Sequence, residues 1–193
     1  MNSRENIFRS HGFGKVAPWV DLVNSEEWDG FGKLTDQLAN PRWLATFLKH
    51  WELFPLPSQA VPRRKLTQLR RLLRSAAEKA ATGDSLSRRE ISELNQALKV
   101  PVCQRLVQNQ NGFRTQAVPV RSNWDWVRAR IAASFGEMLA NQELERIKVC
   151  ANSDCRWVFR DPTKGKTKRW CNDRTCGNRT RVRRARAAQK QKA

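Results

Sequence analysis

The sequence contains no P-loop, no H-x-E zinc-deaminase pattern and no glycine-rich dinucleotide fingerprint. The motifs that most often announce an enzyme are therefore missing. Histidine is nearly absent: His11 and His50 are the pair in the chain, and no glutamate follows residue 145. The last quarter of the protein thus lacks histidine and glutamate, two of the common general acids and bases. No stretch approaches the ~20 apolar residues of a membrane span. The opening MNSRENIFRS has no apolar signal-peptide core. These absences lead to the expectation of a cytoplasmic protein with no membrane partner and no catalytic residues. In a bacterial host the nucleoid lies in that same compartment.

Acidic charge is scarce as well. Against 18 Asp and Glu stand 37 Lys and Arg, for a net charge of +19 and a pI near 11.0. A balance of that size favours a polyanionic partner, and nucleic acid is the commonest. The excess is uneven. Residues 150–193 hold 14 Lys/Arg against 3 Asp, so +11 of the total sits in less than a quarter of the chain.

Residues 1–18 show little periodicity and read as a flexible N-terminus. Residues 19–149 read as a mainly helical domain. Asn40 has the chemistry of an N-cap and Pro41 that of a first helical residue, with Leu44, Phe47, Leu48 and Trp51 on one face. The proline-rich FPLPSQAVP ends that helix. Over residues 63–82, Leu66, Leu69, Leu73, Ala76, Ala77 and Ala80 form a helical stripe opposite Arg70, Arg71 and Arg74. Ser87 and Glu90 have capping-box spacing ahead of Ile91, Leu94 and Leu98. Beyond Pro101 the period changes to two around Asn111-Gly112, which predicts a β-hairpin. Asn123 or Ser122 then caps a helix carrying Trp124, Val127, Ile131, Phe135 and Leu139.

What is present in quantity is thiol. Four of the five cysteines fall in residues 150–176 as C-x4-C, fifteen residues, C-x4-C: Cys150, Cys155, Cys171 and Cys176. Four thiolates in a tetrahedron suit Zn2+. Iron–sulfur ligation is the rival chemistry, and a reducing cytosol disfavours disulfides. A shell of four thiolates leaves no open position, so the expected cofactor is one structural zinc. Cys103 lies in the predicted hairpin and reads as a small buried apolar residue. RWVF and KRWC are read as two strands joined by a turn at Gly165, with Trp157, Phe159 and Trp170 as a miniature core and stacking on nucleobases as their functional alternative.

The segment after the last cysteine, CGNRTRVRRARAAQKQKA, has neither acid nor proline. Gly177 would permit an unusual turn, after which the composition favours helix. Helical spacing puts Arg179, Arg183, Arg186 and Lys190 on one arc. Asn178, Val182, Ala185 and Gln189 form a neighbouring arc that could lie against the metal module. Arg181 and Arg184 point elsewhere. All six cations, Arg179, Arg181, Arg183, Arg184, Arg186 and Lys190, are candidate nucleic-acid contacts.

The string Cys176-Gly177-Asn178-Arg179, together with the paired cysteines, RWVF and VRRARA, resembles the CGNR zinc-finger family. DLVNS at residues 21–25, the long Leu/Arg helix, the hairpin and the Trp-bearing helix resemble the ABATE domain that precedes this finger in stress-linked bacterial proteins. Ser25 stands where that domain usually has Thr. The resemblance implies transcription regulation through DNA binding by the finger. Asp21 and Asn24 read as helix-capping or buried polar groups.

Together these readings give a mainly α protein with a small β-hairpin. A helical domain precedes a four-cysteine zinc module over 150–193 that ends in a basic helix. The expected activity is binding of double-stranded DNA by a regulator, with the N-terminal domain as sensor or dimerisation unit. RNA or ribosome association is the alternative of the same class, and a catalytic N-terminal domain that of another. A small-molecule effector and a homodimer are left open.

Overall fold

The computed structural model describes residues 16–29, 33–53, 60–110 and 112–191. The expected flexible N-terminus therefore lies, up to residue 15, outside the described residues, as do His11 and Asn111. Helix α1 (Pro18–Asn24) leads into a small antiparallel pair, β1 (Glu26–Trp28) and β2 (Leu34–Asp36). Then follow α2 (Pro41–His50), α3 (Arg63–Thr82), α4 (Arg88–Leu98) and the hairpin β3 (Val102–Asn109) and β4 (Gly112–Pro119). After α5 (Trp124–Ala140) come β5 (Ile147–Val149), β6 (Val158–Arg160) and α6 (Asn178–Lys190). The architecture is mainly α with the expected small hairpin, as the sequence implies, and two further two-stranded sheets, β1–β2 and β5–β6, stand beside it. Among the described residues no helix is long and apolar enough to cross a membrane.

Local chemistry sets the helix ends. The Asn40 side chain accepts from the N–H groups of Arg42 and Trp43, and Pro41 opens α2. Thr82 gives way to Gly83 at φ +84, the left-handed conformation in which a side chain is strained, and α3 stops there. Ser87 and Glu90 form the reciprocal capping box of α4. The carboxylate of Glu90 also takes Lys79 Nζ at 2.6 Å and Ser75 Oγ at 2.9 Å, which fastens α4 to α3. Asn123, not Ser122, caps α5 through the N–H of Trp126.

The apolar stripes meet around Trp19. This residue packs edge-to-face on Phe135 at 5.0 Å, inside a core of Leu22, Phe47, Leu66, Leu73 and Ile131. Ile147 of β5 and Val158 of β6 belong to that same core. Since β6 lies between the second and third ligand cysteines, the cysteine module is packed onto the helical domain.

Five expectations are corrected. Arg70 does not face solvent opposite the leucines: it is 2% exposed. It grips both carboxylate oxygens of Asp36 at 2.6 and 2.9 Å and the hydroxyl of Ser25 at 3.0 Å. Desolvating a guanidinium requires such compensation. Arg74 is half-buried and donates to the carbonyls of Val23 and Arg156. In α4, Ile91 and Leu98 are exposed and the buried positions are Glu90, Leu94 and Ala97, because the ionic tie to α3 rotates the helix. The hairpin forms, but its register starts at Asn109↔Gly112, so Gly112 opens β4 rather than centring the turn. Cys103 is exposed, because the hairpin packs little against other elements.

Candidate metal centre and basic helix

The segment that carries the thiols is built by backbone bonds around Asn152. Its carbonyl accepts from the N–H groups of Cys155 and Arg156, and its side-chain oxygen accepts from Asp154. This tight turn brings Cys155 back towards Cys150. Antiparallel pairing of β5 with β6, from Ile147↔Arg160 to Val149↔Val158, closes the first cysteine pair. The strand expected at KRWC does not form. Instead Ala151 N–H donates to Arg169 O at 2.9 Å, a single bond that lays the second pair beside the first. The reason is that RWVF already has a strand partner, the residues before Cys150.

Between the pairs, Asp161 organises the loop. It is fully buried and accepts from the N–H and hydroxyl of Thr163 and the N–H of Lys168. Burial pushes its carboxyl up, but these three donors outweigh that and hold it below the usual range.

The four Sγ atoms lie within 4.8 Å of one another. Cys155–Cys171 and Cys171–Cys176 are each 3.7 Å apart. A tetrahedron with Zn–S bonds of about 2.3 Å has sulfur–sulfur edges of about 3.8 Å. A disulfide would bring two sulfurs to about 2.05 Å, and a multi-iron cluster spreads its thiolates over separate irons. The geometry fits one ion in an all-thiolate shell. Cys150, Cys155 and Cys176 are buried and Cys171 is half-buried. Phe159, Trp157 and Trp170 surround them as the predicted small core. Closely packed thiols share protons unequally. Cys150 is lowered to about 7 by hydrogen bonds from Cys155 and Cys171, and Cys176 is lowered further by Cys150, Cys155 and Cys171. Cys155 and Cys171 are pushed up, each chiefly by Cys150. A bound dication favours the thiolate form of all four.

The chain leaves Cys171 through one wide turn, Asp173–Gly177, capped by the Asn172 side chain on Thr175 N–H. Gly177 is helical, with φ −63 and ψ −50, so the expected unusual turn is not what it provides. It provides room. A Cβ there would sit 2.6 Å from Asp173 Oδ1 and 3.3 Å from Trp170 Cε3. Asp173 is pressed this close because both its oxygens meet Arg181, at 3.1 Å each, while Arg181 lies 5.4 Å over the Trp170 ring.

Helix α6 then runs outward. Every residue from Arg181 to Lys190 is exposed, and so is Asn178. The supposed inner arc of Asn178, Val182, Ala185 and Gln189 therefore does not lie on the metal module, whose small apolar core Phe159 and the tryptophans already complete. Arg179 is half-buried against the carbonyl of Asp29, which ties the start of α6 to the β1–β2 connection. Arg183 pairs with Asp154 at 2.7 Å and reaches Ser153 Oγ. Arg184, Arg186 and Lys190 project into solvent.

The polar residues of DLVNS turn out to be docking groups. Asp21 accepts from Trp51 Nε1 at 2.8 Å, Ser25 receives Arg70, and Asn24 bonds the backbone of Val158. Each joins α1 to a different element. Ser in place of Thr keeps the hydroxyl that Arg70 needs. The sequence offers one signal for this, namely small polar side chains inside an otherwise apolar helix.

Residues 146–189 match the CGNR zinc finger. The match and the sulfur geometry together support one structural zinc, with Cys150, Cys155, Cys171 and Cys176 as the four thiols close enough to hold it. No curated protein matches the chain. Residues 17–142, more than half of the chain, match the family named ABATE and described as "Putative stress-induced transcription regulator". The chain belongs to the ABATE family and carries, directly after that domain, a CGNR zinc finger.

Proposed function

We propose that this protein regulates transcription by binding duplex DNA, with zinc positioning α6 as the contact element. The observation that carries the reading is the exposed, acid-free helix anchored at one end to the metal centre. A rigid root with free guanidinium groups beyond it suits both phosphate oxygens and the guanine edge. Arg184, Arg186 and Lys190 are exposed cations of α6 with no ion pair among the described residues, and Arg181 and Arg183 flank them. Arg179 orients the helix rather than touching the ligand. The activity is binding and not catalysis, which the closed thiolate shell supports. A cytoplasmic, nucleoid-associated location follows from the same reading.

The helical domain is the sensing or dimerising unit. A cavity of about 610 Å³ between the end of α4 and the start of α5, bordered by Lys99, Arg121 and the Asp125–Arg128 ion pair, offers room for a small effector.

The test is fluorescence anisotropy of the zinc-loaded protein on duplex DNA across a salt series. Changing Arg184, Arg186 and Lys190 to Ala together should weaken binding by orders of magnitude and flatten the log–log salt slope by about 0.9 per lost phosphate contact. The control changes Arg64, Arg71 and Arg88, exposed arginines of the helical domain, and should do much less. Equal loss in both variants would reduce α6 to a charge reservoir. Binding to single-stranded RNA with none to duplex DNA would replace this reading by the RNA one.

A further inference from the structure

Among the described residues the hairpin β3–β4 is a sheet without a second layer. Its two eight-residue strands pair with each other and make only marginal contact with other elements. Two-stranded sheets left alone in water are marginal. Side chains alternate across a strand, so the register Leu106↔Thr115 and Gln108↔Phe113 places Val102, Leu106 and Phe113 on one face with Gln104, Gln108 and Thr115. Leu106 is 67% exposed, Phe113 70% and Val102 44%. Both charges of the hairpin, Arg105 and Arg114, fall on the opposite face. Of the exposed large apolar residues, Ile91, Leu98, Val102, Leu106, Phe113 and Val120 all come from the segment 91–120.

We infer that the face bearing Leu106 and Phe113 is a homodimer interface, packed against the same face of a second copy about a two-fold axis. Charge selects the occupant. A chain of net charge +19 repels its own copy, so two copies can meet only where charge is lacking, and this face has none. An acidic partner or a nucleic acid would choose one of the many basic surfaces instead. A neutral strip with an apolar centre is complementary to itself, as an isologous contact requires. Size also permits it. Eight residues per strand extend about 27 Å. The exposed parts of Val102, Leu106 and Phe113 amount to roughly 300 Å² per copy, the scale at which apolar patches on monomers are functional. With the flanking glutamines and Thr115, two faces stacked about 10 Å apart approach the ~1,200 Å² at the lower end of specific interfaces. Covering the hairpin would also give its two strands the second layer they lack.

The experiment is sedimentation velocity of the full zinc-loaded chain over about 1–100 μM in ~0.5 M salt, which screens the like charges. A dimer is expected. Leu106→Lys and Phe113→Lys should each raise its dissociation constant by about 30-fold or more, with zinc content and helicity kept, because both side chains are exposed. Arg105→Glu with Arg114→Glu, on the other face, should leave it within a few-fold. Cysteine chemistry gives a second arm. In a Cys103→Ser background, Leu106→Cys should oxidise to a covalent dimer faster than the native Cys103 does in the parent, since Cys103 lies on the outer face. A monomeric parent across the whole range overturns the inference, as does a dimer indifferent to both lysines or faster crosslinking through Cys103. The readout is mass, so failure here leaves the DNA-binding reading untouched.

Discussion

Asn24 and Val158 stand 134 residues apart in the chain and share two hydrogen bonds. Asn24 Nδ2 donates to the carbonyl of Val158 at 2.8 Å, and Val158 N–H donates to Asn24 Oδ1 at 2.9 Å. The side-chain amide acts as one more strand beside β6. Val158 is fully buried in the main core, so no water can replace Asn24 there. The bond pair therefore couples α1 of the ABATE domain to the strand between the second and third zinc ligands.

Asn24→Ala should cost about 2–4 kcal/mol, because it strands a buried N–H and a buried C=O together. Asn24→Asp should do at least as much harm, since it sets a carboxylate against the Val158 carbonyl. Denaturant unfolding of the zinc-loaded protein measures the loss. A cost under about 1 kcal/mol would mean that the two modules are not joined here. Zinc should also leave Asn24→Ala faster when a chelator competes for it, because β6 is freed at one edge.

Metal stoichiometry separates the four ligands from the fifth thiol. Cys155→Ser or Cys171→Ser should drop zinc below about half an equivalent, since a hydroxyl is a poor fourth ligand for a thiolate shell. Cys103→Ser should keep the full equivalent and change stability by less than about 0.5 kcal/mol, because Cys103 is exposed. Removing zinc with a chelator should unfold the turn at Asp173–Gly177 and melt α6, whose isolated length is marginal. Circular dichroism at constant pH would record a partial loss of helix. Full retention of helicity after metal removal would contradict the anchoring role.

Much of this was legible in advance. Caps announce themselves because they are local: Asn40, Ser87, Glu90 and Asn123 each bond within three residues of themselves. The cysteine spacing was equally direct, since four thiols near one another in the chain can reach one ion. Arg70 and Cys103 depart from what periodicity implies for one shared reason. Their environments are set by elements far along the chain, Asp36 and Ser25 in one case and an unpacked hairpin in the other. Periodicity can name a face but not what the face meets. The pairing of β6 with β5 rather than with KRWC is the same kind of event, a competition between two available partners.

Glu90 offers a pH test of the α3–α4 junction. Lys79 first, then the hydroxyl and N–H of Ser87, lower its carboxyl from 4.5 to about 2. A depressed carboxyl contributes stability above its unfolded value and loses it as the pH falls through the folded one. The contribution is complete at pH 7, declines below about pH 5 and is nearly gone at pH 2. Glu90→Gln should cost about 1–2 kcal/mol at neutral pH, discounted for partial exposure of the Lys79 partner. The gap between variant and parent should close as the pH approaches 2. Denaturation curves at pH 7, 4 and 2.5 follow it, and a gap that widens with acid would have the wrong sign.

The last prediction concerns the acids beneath the basic helix. Asp173 holds Arg181 with both oxygens and Asp154 holds Arg183 at 2.7 Å. These are exposed pairs, and exposed pairs contribute about 0–1 kcal/mol. They are therefore cheap to break. A phosphate brings the same charge and the same oxygen geometry, so duplex DNA can take over both arginines while the two carboxylates return to water. On the DNA-binding reading, Asp154→Asn with Asp173→Asn removes a competitor and adds two units of positive charge. Affinity for duplexes of any sequence should rise because no ion pair has to be broken first, while the salt slope should stay close to the parent's, since the same two phosphate contacts form in both. Stability should move by no more than about 2 kcal/mol, at most ~1 for each pair. Arg181→Ala with Arg183→Ala should shift affinity the opposite way. The competing possibility is that the carboxylates hold the guanidinium groups in the orientation DNA requires. In that case the asparagine variants would bind more weakly despite their extra charge, which a single anisotropy titration at fixed salt would show.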